Sequence, residues 1–290
     1  MIRSWKLSTL FLSTVIASVM VPQVALAEKS AKQYYGQAKA HLRENELDKA
    51  IEDLNQAIKT DDEYVKAYND LALIHLKQEN PDQAIKKLKK AVEIDPKFAK
   101  GYSNLAGTYF KQGKLEKAIK NYNQVIKLNP DSASAYTHRG MIKFKQKRTD
   151  QAIEDLNQAI EINPDYAHAY VQRGHIREKN GKMKPAIDDY TKAIQNDDDY
   201  VGAYLKRGKA WLQLKYFQKA IDDFTKVINL NPDSSDAYFL RGASYRFKGN
   251  LTKAIQDLEK TATILEKNEK KQEAKKIRKV ISNLQDKAEK

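Results

Sequence analysis

No cysteine occurs in the 290 residues, which excludes disulfide bonds, thiolate metal sites and thiol nucleophiles. It also leaves nothing to acylate, so a thioether-linked or thioester-linked lipid anchor has no attachment point. Stability must come from packing alone. Other marks of chemistry are missing as well: no glycine-rich phosphate loop follows a strand, no His-Glu-x-x-His pair lies on a helix, and no Gly-x-Ser-x-Gly elbow occurs. The acidic clusters Asp61-Asp62-Glu63 and Asp197-Asp198-Asp199 sit where helices are expected to meet and read as helix caps. Asp188-Asp189 and Asp222-Asp223 read as solvated or ion-paired helix faces, and His41 and His75 as packing residues. No catalytic residue, cofactor or metal is expected, and the chain reads as non-enzymatic.

Long uncharged runs are confined to the amino end. Arg3 and Lys6 precede an uncharged stretch from Leu7 to Val21, Pro22 follows, and Ala25-Leu26-Ala27 supplies small residues before Glu28. These are the three parts of a secretory signal, predicted over residues 1–27 with cleavage between Ala27 and Glu28. The alternative is a membrane anchor, against which the run is short of the ~20 residues of a span and is broken by Pro22. The mature chain is therefore expected to be exported without a transmembrane anchor, to the periplasm or extracellular space, or to the thylakoid lumen were the source photosynthetic. Residues 28–30 read as a short lead-in.

What the chain has in abundance is repetition. Written in rows of 34 that begin at Ala31, Val65, Ala99, Ala133, Ala167, Val201 and Ser235, it aligns with itself seven times. Column four is Tyr34, Tyr68, Tyr102, Tyr136, Tyr170, Tyr204 and Tyr238; column eight takes only Ala or Gly; column twenty is always Ala, followed by Ile. Columns four, eight and eleven lie on one side of a helix and predict its buried stripe, as columns 20, 21, 24, 27 and 28 do for a second helix. Gly113, Gly181 and Gly249 mark the turn between the two. Asn-Pro-Asp at 129–131, 163–165 and 231–233 ends one hairpin and starts the next. A single helical hairpin cannot bury its apolar face alone, so such a period means stacking.

The aromatic at column four, the small residues at eight, twenty and twenty-seven, and Pro96, Pro130, Pro164 and Pro232 at column thirty-two resemble the tetratricopeptide repeat family. The resemblance implies an all-α, right-handed superhelical solenoid of antiparallel helix pairs with one continuous core. Its seven repeats would span 31–64, 65–98, 99–132, 133–166, 167–200, 201–234 and 235–268. Residues 269–290, with Ala274, Ile277, Val280, Ile281 and Leu284 at helical spacing, predict a C-terminal capping helix. The family's two-carboxylate peptide clamp does not carry over, since column five begins Tyr35, Asn69, Ser103, Thr137 and no successive rows reproduce its set.

Charge is distributed unevenly along this frame. Column seven is Leu71 and Leu105 in rows two and three but Arg139, Arg173, Arg207 and Arg241 in rows four to seven, and column twenty-three switches in step to Asp155, Asp189, Asp223 and Asp257. The joint switch predicts an Arg-carboxylate ladder; a row of anion-binding arginines is the other reading. Columns two, six, nine and thirteen cluster within roughly 60° on the helix face opposite the predicted buried stripe, which lines the concave groove in the family. Eleven of their 28 positions are basic: Lys32, Lys39, Arg43, Lys66, Lys77, Lys100, Lys111, Lys145, Lys179, Lys206 and Lys209. Only Asp70 and Asp236 are acidic. His138, His168 and His175 fall on the same face, flanked by Phe110 and Phe144 at column twelve and Leu205 and Phe239 at column five. A solvated lysine surface and a three-histidine metal site are the competing readings. The expectation is an exported scaffold holding an acidic protein or peptide segment, with apolar residues of its own, in a basic groove. The alternative is an electrostatic binder of anionic polymer or membrane surface, such as envelope glycan, lipid headgroups or nucleic acid, suggested by the formal charge of +14, or +12 without Arg3 and Lys6. Export argues against nucleic acid.

Overall fold

A computed structural model describes residues 29–288; the signal expected over residues 1–27, with its cleavage between Ala27 and Glu28, lies outside the described residues. Those residues form fifteen α-helices and no strand. Each row opens with an odd-numbered helix: α1 (Ala31–Arg43), α3 (Val65–Lys77), α5 (Ala99–Lys111), α7 (Ala133–Lys145), α9 (Ala167–Lys179), α11 (Val201–Gln213) and α13 (Ser235–Phe247). Each closes with an even-numbered one: α2 (Leu47–Thr60), α4 (Pro81–Ile94), α6 (Leu115–Leu128), α8 (Thr149–Ile162), α10 (Met183–Asn196), α12 (Phe217–Leu230) and α14 (Leu251–Lys267). Helix α15 (Lys271–Ala288) follows and packs on α14. The chain forms two compact units, one ending at Asp61 with the hairpin α1–α2, the other beginning at Asp62 with α3 to α15. No helix among the described residues is long and apolar enough to cross a membrane.

In the second unit the core passes from hairpin to hairpin. One cluster joins Ala72, Leu88, Leu105, Ile119 and Ile142 across α3 to α7; the next joins Leu156 on α8 to Ile176 on α9, and Val171 on α9 meets Tyr190 on α10 and Ala203 on α11. The second helix of each pair buries columns 20, 24 and 27 in every row, and in the sixth row the whole predicted stripe, Ala220, Ile221, Phe224, Val227 and Ile228, is buried. Each large side chain so removed from water stabilises by about 1.5–3 kcal/mol before conformational entropy is counted.

The first helix departs from expectation. Column eight is buried throughout, but columns three and ten are buried too in the second unit, as Ala67, Ala135, Ala169, Ala203 and Ala237 and as Ile74, Thr108, Ile142, Ile176 and Ser244 show. Column four is buried only at Tyr68, while Tyr102, Tyr136, Tyr170, Tyr204 and Tyr238 stay half-exposed. The reason, from α5 onward, is that a first helix meets two neighbours, its own partner and the preceding hairpin. Two faces are covered, and the tyrosine lies on the shoulder between water and core.

Turns repeat as faithfully as helices. Column fifteen adopts the left-handed conformation in every row, at Gly113, Gly181 and Gly249 (φ 73°, 75° and 88°) but equally at Asn45, Glu79, Lys147 and Lys215 (φ 61°, 60°, 63° and 64°). Column thirty-one closes the junction between hairpins: the side chains of Asp95, Asn129, Asn163, Asp197 and Asn231 each accept the backbone N–H two residues on, at 2.8–3.3 Å. Asp197 thus stands at the C-terminal cap of α10, and its side chain builds this turn rather than capping the start of α11, which begins after Tyr200.

Candidate functional site

The Arg-carboxylate ladder is present in full. Arg139, Arg173, Arg207 and Arg241 bring a terminal guanidinium nitrogen to 2.6, 2.7, 2.7 and 2.8 Å from Asp155, Asp189, Asp223 and Asp257 of their own hairpins. In each, Nε donates to the same carboxylate. The pairing is bidentate and nearly dry, the aspartates being 3, 2, 4 and 5% exposed. The remaining nitrogen reaches the preceding hairpin, to Asn123, Asn157, Thr191 and Thr225. Each guanidinium also lies over its own column-four ring, 5.2–5.6 Å from the centroids of Tyr136, Tyr170, Tyr204 and Tyr238. These arginines are spent on structure, and anion binding is not their task. Lys143 and Arg177, at column eleven, join Asp155 and Asp189 at 2.8 Å, contacts that the apolar reading of that column missed.

On the second unit, the first helices carry a mixed basic and aromatic surface. Lys66, Lys77, Lys100, Lys111, Lys145, Lys179 and Lys209 are exposed. The Lys145 ammonium stands 5.1 Å from the Phe110 ring centroid, and Phe144 meets the edge of His175 at 6.2 Å. Phe239 is exposed and Leu205 half-buried. Asp70, by contrast, is buried and accepts from Asn69 at 3.0 Å, so the expectation that it opens onto this face is corrected. In the first unit Lys32 and Arg43 are exposed on α1, and Lys39 is half-buried with its ammonium 6.0 Å from the Tyr35 ring.

Lys206 is the unusual member. It is half-buried on α11 and donates to His175 Nδ1 on α9 at 3.3 Å. Burial holds its ammonium below the usual lysine value; Glu178 opposes this, while Lys209 and Lys179 add to it. Glu178 itself is engaged, accepting from the Tyr190 hydroxyl at 2.6 Å and lying 4.0 Å from His175, with His175 first among the partners that hold its carboxyl below the usual range. Next to this group, His138 stacks on Tyr122 at 5.6 Å and lies 6.1 Å from His168. His168 Nδ1 is 2.9 Å from the Tyr200 hydroxyl. Burial, with a smaller effect from His138, lowers the His168 pKa.

The three histidines do not converge on one point. Among the described residues, the group of three potential metal ligands that does, His41, Glu44 and Glu46 at the end of α1, has ligand atoms within 4.8 Å of one another. Its Glu46 is already taken by His41 at 2.7 Å and Lys49 at 2.9 Å.

Family profiles described as tetratricopeptide repeat match residues 35–97, 87–120, 167–200, 201–234 and 224–256, and one described as TPR repeat matches 107–147 and 140–181. Among curated protein sequences none matches. Of solved structures, a tetratricopeptide repeat protein from Parabacteroides merdae is similar over 85% of this chain and 98% of its own at 19% identity, with a TM-score of 0.65. The MamA protein is similar over 59% of this chain and 94% of its own at 26% identity, with a TM-score of 0.52. YrrB, a TPR protein with an unusual peptide-binding site, is similar over 65% and 97% at 23% identity, with a TM-score of 0.50.

Proposed function

Because the chain belongs to the tetratricopeptide repeat family, whose all-α solenoids are protein–protein interaction scaffolds, we propose that it is an exported, non-catalytic scaffold. It holds an acidic, partly apolar segment of another protein on the first helices of its second unit. The observation that carries this reading is Lys206. A half-buried ammonium bonded to the His175 ring and facing Lys179 and Lys209 has one carboxylate near it, Glu178, which is already engaged by Tyr190 and His175. A partly desolvated cation that shares its counter-charge with other donors gains from a further one, and a carboxylate on a partner supplies it. Phe110 and Phe144 beside the lysines favour a peptide over a polymer that offers charge alone.

Fluorescence anisotropy with labelled peptides tests the reading. A peptide carrying both Glu and Phe is expected to bind more tightly than an all-Glu peptide of equal charge. Replacing Lys179 and Lys206 by Glu should weaken it tenfold or more while helical content is kept. Equal binding by this variant and the parent would remove the groove from consideration. Export rests on the charge, apolar run and Ala-Leu-Ala of the amino end. Intact-mass analysis of exported protein should show a chain starting at Glu28; recovery of Met1 to Ala27 in a membrane-bound form contradicts it.

A further inference from the structure

The two most exposed large apolar side chains among the described residues, Phe247 at 62% and Tyr216 at 53%, stand together. They occupy the edge of the second unit where the turns of the sixth and seventh hairpins lie side by side. Phe247 stacks on Phe217 with ring centroids 5.7 Å apart, and Tyr216 meets Trp211 edge-on at 5.4 Å. Lys219 places its ammonium 4.4 Å from the Trp211 centroid and 5.3 Å from that of Tyr216. Lys248 donates to Gln218 across the two hairpins. Lys215 is exposed in the first of these turns and Arg246 at the end of α13. One acid, Asp222, shares the edge and accepts from Gln218 at 2.8 Å. Beside Phe247 an open cleft of about 670 Å³ is lined by Tyr245, Lys248 and Lys253 among others. The other hairpins lack this combination: at the position of Tyr216 they have Glu46, Asn80, Lys114, Arg148, Lys182 and Asn250, and at that of Phe247 they have Arg43, Lys77, Lys111, Lys145, Lys179 and Gln213.

We propose that this edge docks on an anionic phospholipid surface, with Phe247 and Tyr216 entering the headgroup layer and the surrounding cations meeting lipid phosphates. Rings exposed at a turn, as Tyr216 is, or at a helix end, as Phe247 is, meet water at a cost, and an interfacial layer is where amphipathic rings are most stable. Charges of one sign around them complement an anionic leaflet, whereas an interface with a protein usually has few charges at its centre. The cleft is wide enough to take a headgroup next to Lys248 and Lys253. This inference is independent of the peptide reading, since it uses other residues.

The test uses the chain from Glu28 onward, which contains every described residue and keeps Trp211 as its sole tryptophan. It should float with phosphatidylcholine vesicles containing 30% phosphatidylglycerol, by order of magnitude tenfold more than with phosphatidylcholine alone. Brominated lipid should quench Trp211 fluorescence. Tyr216→Ser with Phe247→Ser, which leaves charge unchanged and alters exposed positions, should reduce flotation about tenfold. Lys66→Glu with Lys100→Glu, on the other end of the first helices, should change it less than about twofold. Flotation unaffected by the serine pair, or lowered as much by the Lys66 and Lys100 changes, would overturn the proposal. So would an absence of flotation with anionic vesicles, and if the serine pair then cost the chain a protein partner, the edge would belong to that protein.

Discussion

At the scale of the residue, the ladder shows how a buried ion pair is tolerated. Asp223 has given up water, and two bonds from Arg207 replace it, while Arg207 is itself held by the Tyr204 ring and a bond to Thr191. Arg207→Leu strands the carboxylate and should cost about 3–5 kcal/mol in urea unfolding. Arg207→Leu with Asp223→Asn, which copies Leu105 and Asn121 of the third row, should recover most of that loss. If the double variant is no more stable than the single one, packing of the arginine stem rather than pairing is responsible. The joint switch of columns seven and twenty-three made the ladder legible in the sequence; the backward link did not show, because Asn and Thr share only an acceptor oxygen. A second expectation concerns His168. Its folded pKa is lowered by burial and then by His138, so the folded state prefers the neutral ring. Stability from this group is present above the unfolded value of about 6.5 and is lost as pH falls through it toward the folded value. The difference in melting temperature between pH 7.5 and 5.5 should shrink in His168→Gln, which keeps a polar partner for Tyr200.

At the scale of the element, the hairpin turn is strained where glycine is absent. Glu79 and Lys147 hold a left-handed backbone that costs a side-chain-bearing residue roughly 1–2 kcal/mol, part of which glycine's greater unfolded freedom offsets. Glu79→Gly and Lys147→Gly together should therefore raise stability by about 1 kcal/mol, read as a higher midpoint in thermal unfolding. A lower midpoint would mean that the exposed side chains hold the turn in some other way. The three glycines announced this turn, and Asn45 gave a weaker sign of it, whereas Glu79, Lys147 and Lys215 were hidden because their residues carry no conformational signal. Columns three and ten escaped notice for a different reason. The amphipathic pattern of one helix reports one covered face, and the second face here is mostly small residues covered by the preceding hairpin.

At the scale of the molecule, nearest-neighbour stacking makes stability local within the second unit. Helix α15 covers Leu258 on α14 with Ile281 and Leu284. Leu284→Ala should cost about 2–5 kcal/mol at that end, and amide hydrogen exchange should accelerate in α13 to α15 while α5 to α8 keep their protection. Uniform acceleration along the unit would instead mean that it unfolds as one cooperative block. The period of 34 made the architecture legible from end to end. The basic surface was only half legible, because the sequence could place lysines on a face but could not show that Lys206 is half-buried or that Asp70 turns inward. The ladder has one more consequence. Every guanidinium from Arg173 to Arg241 reaches back to an acceptor at one fixed distance along the chain, Asn157, Thr191 or Thr225. Excising residues 167–200 would set Arg207 against Asn157, remaking the bond that Arg173 now forms. These hairpins are interchangeable parts with matching couplings, so gene duplication or loss can lengthen or shorten this stretch one module at a time without redesigning a joint.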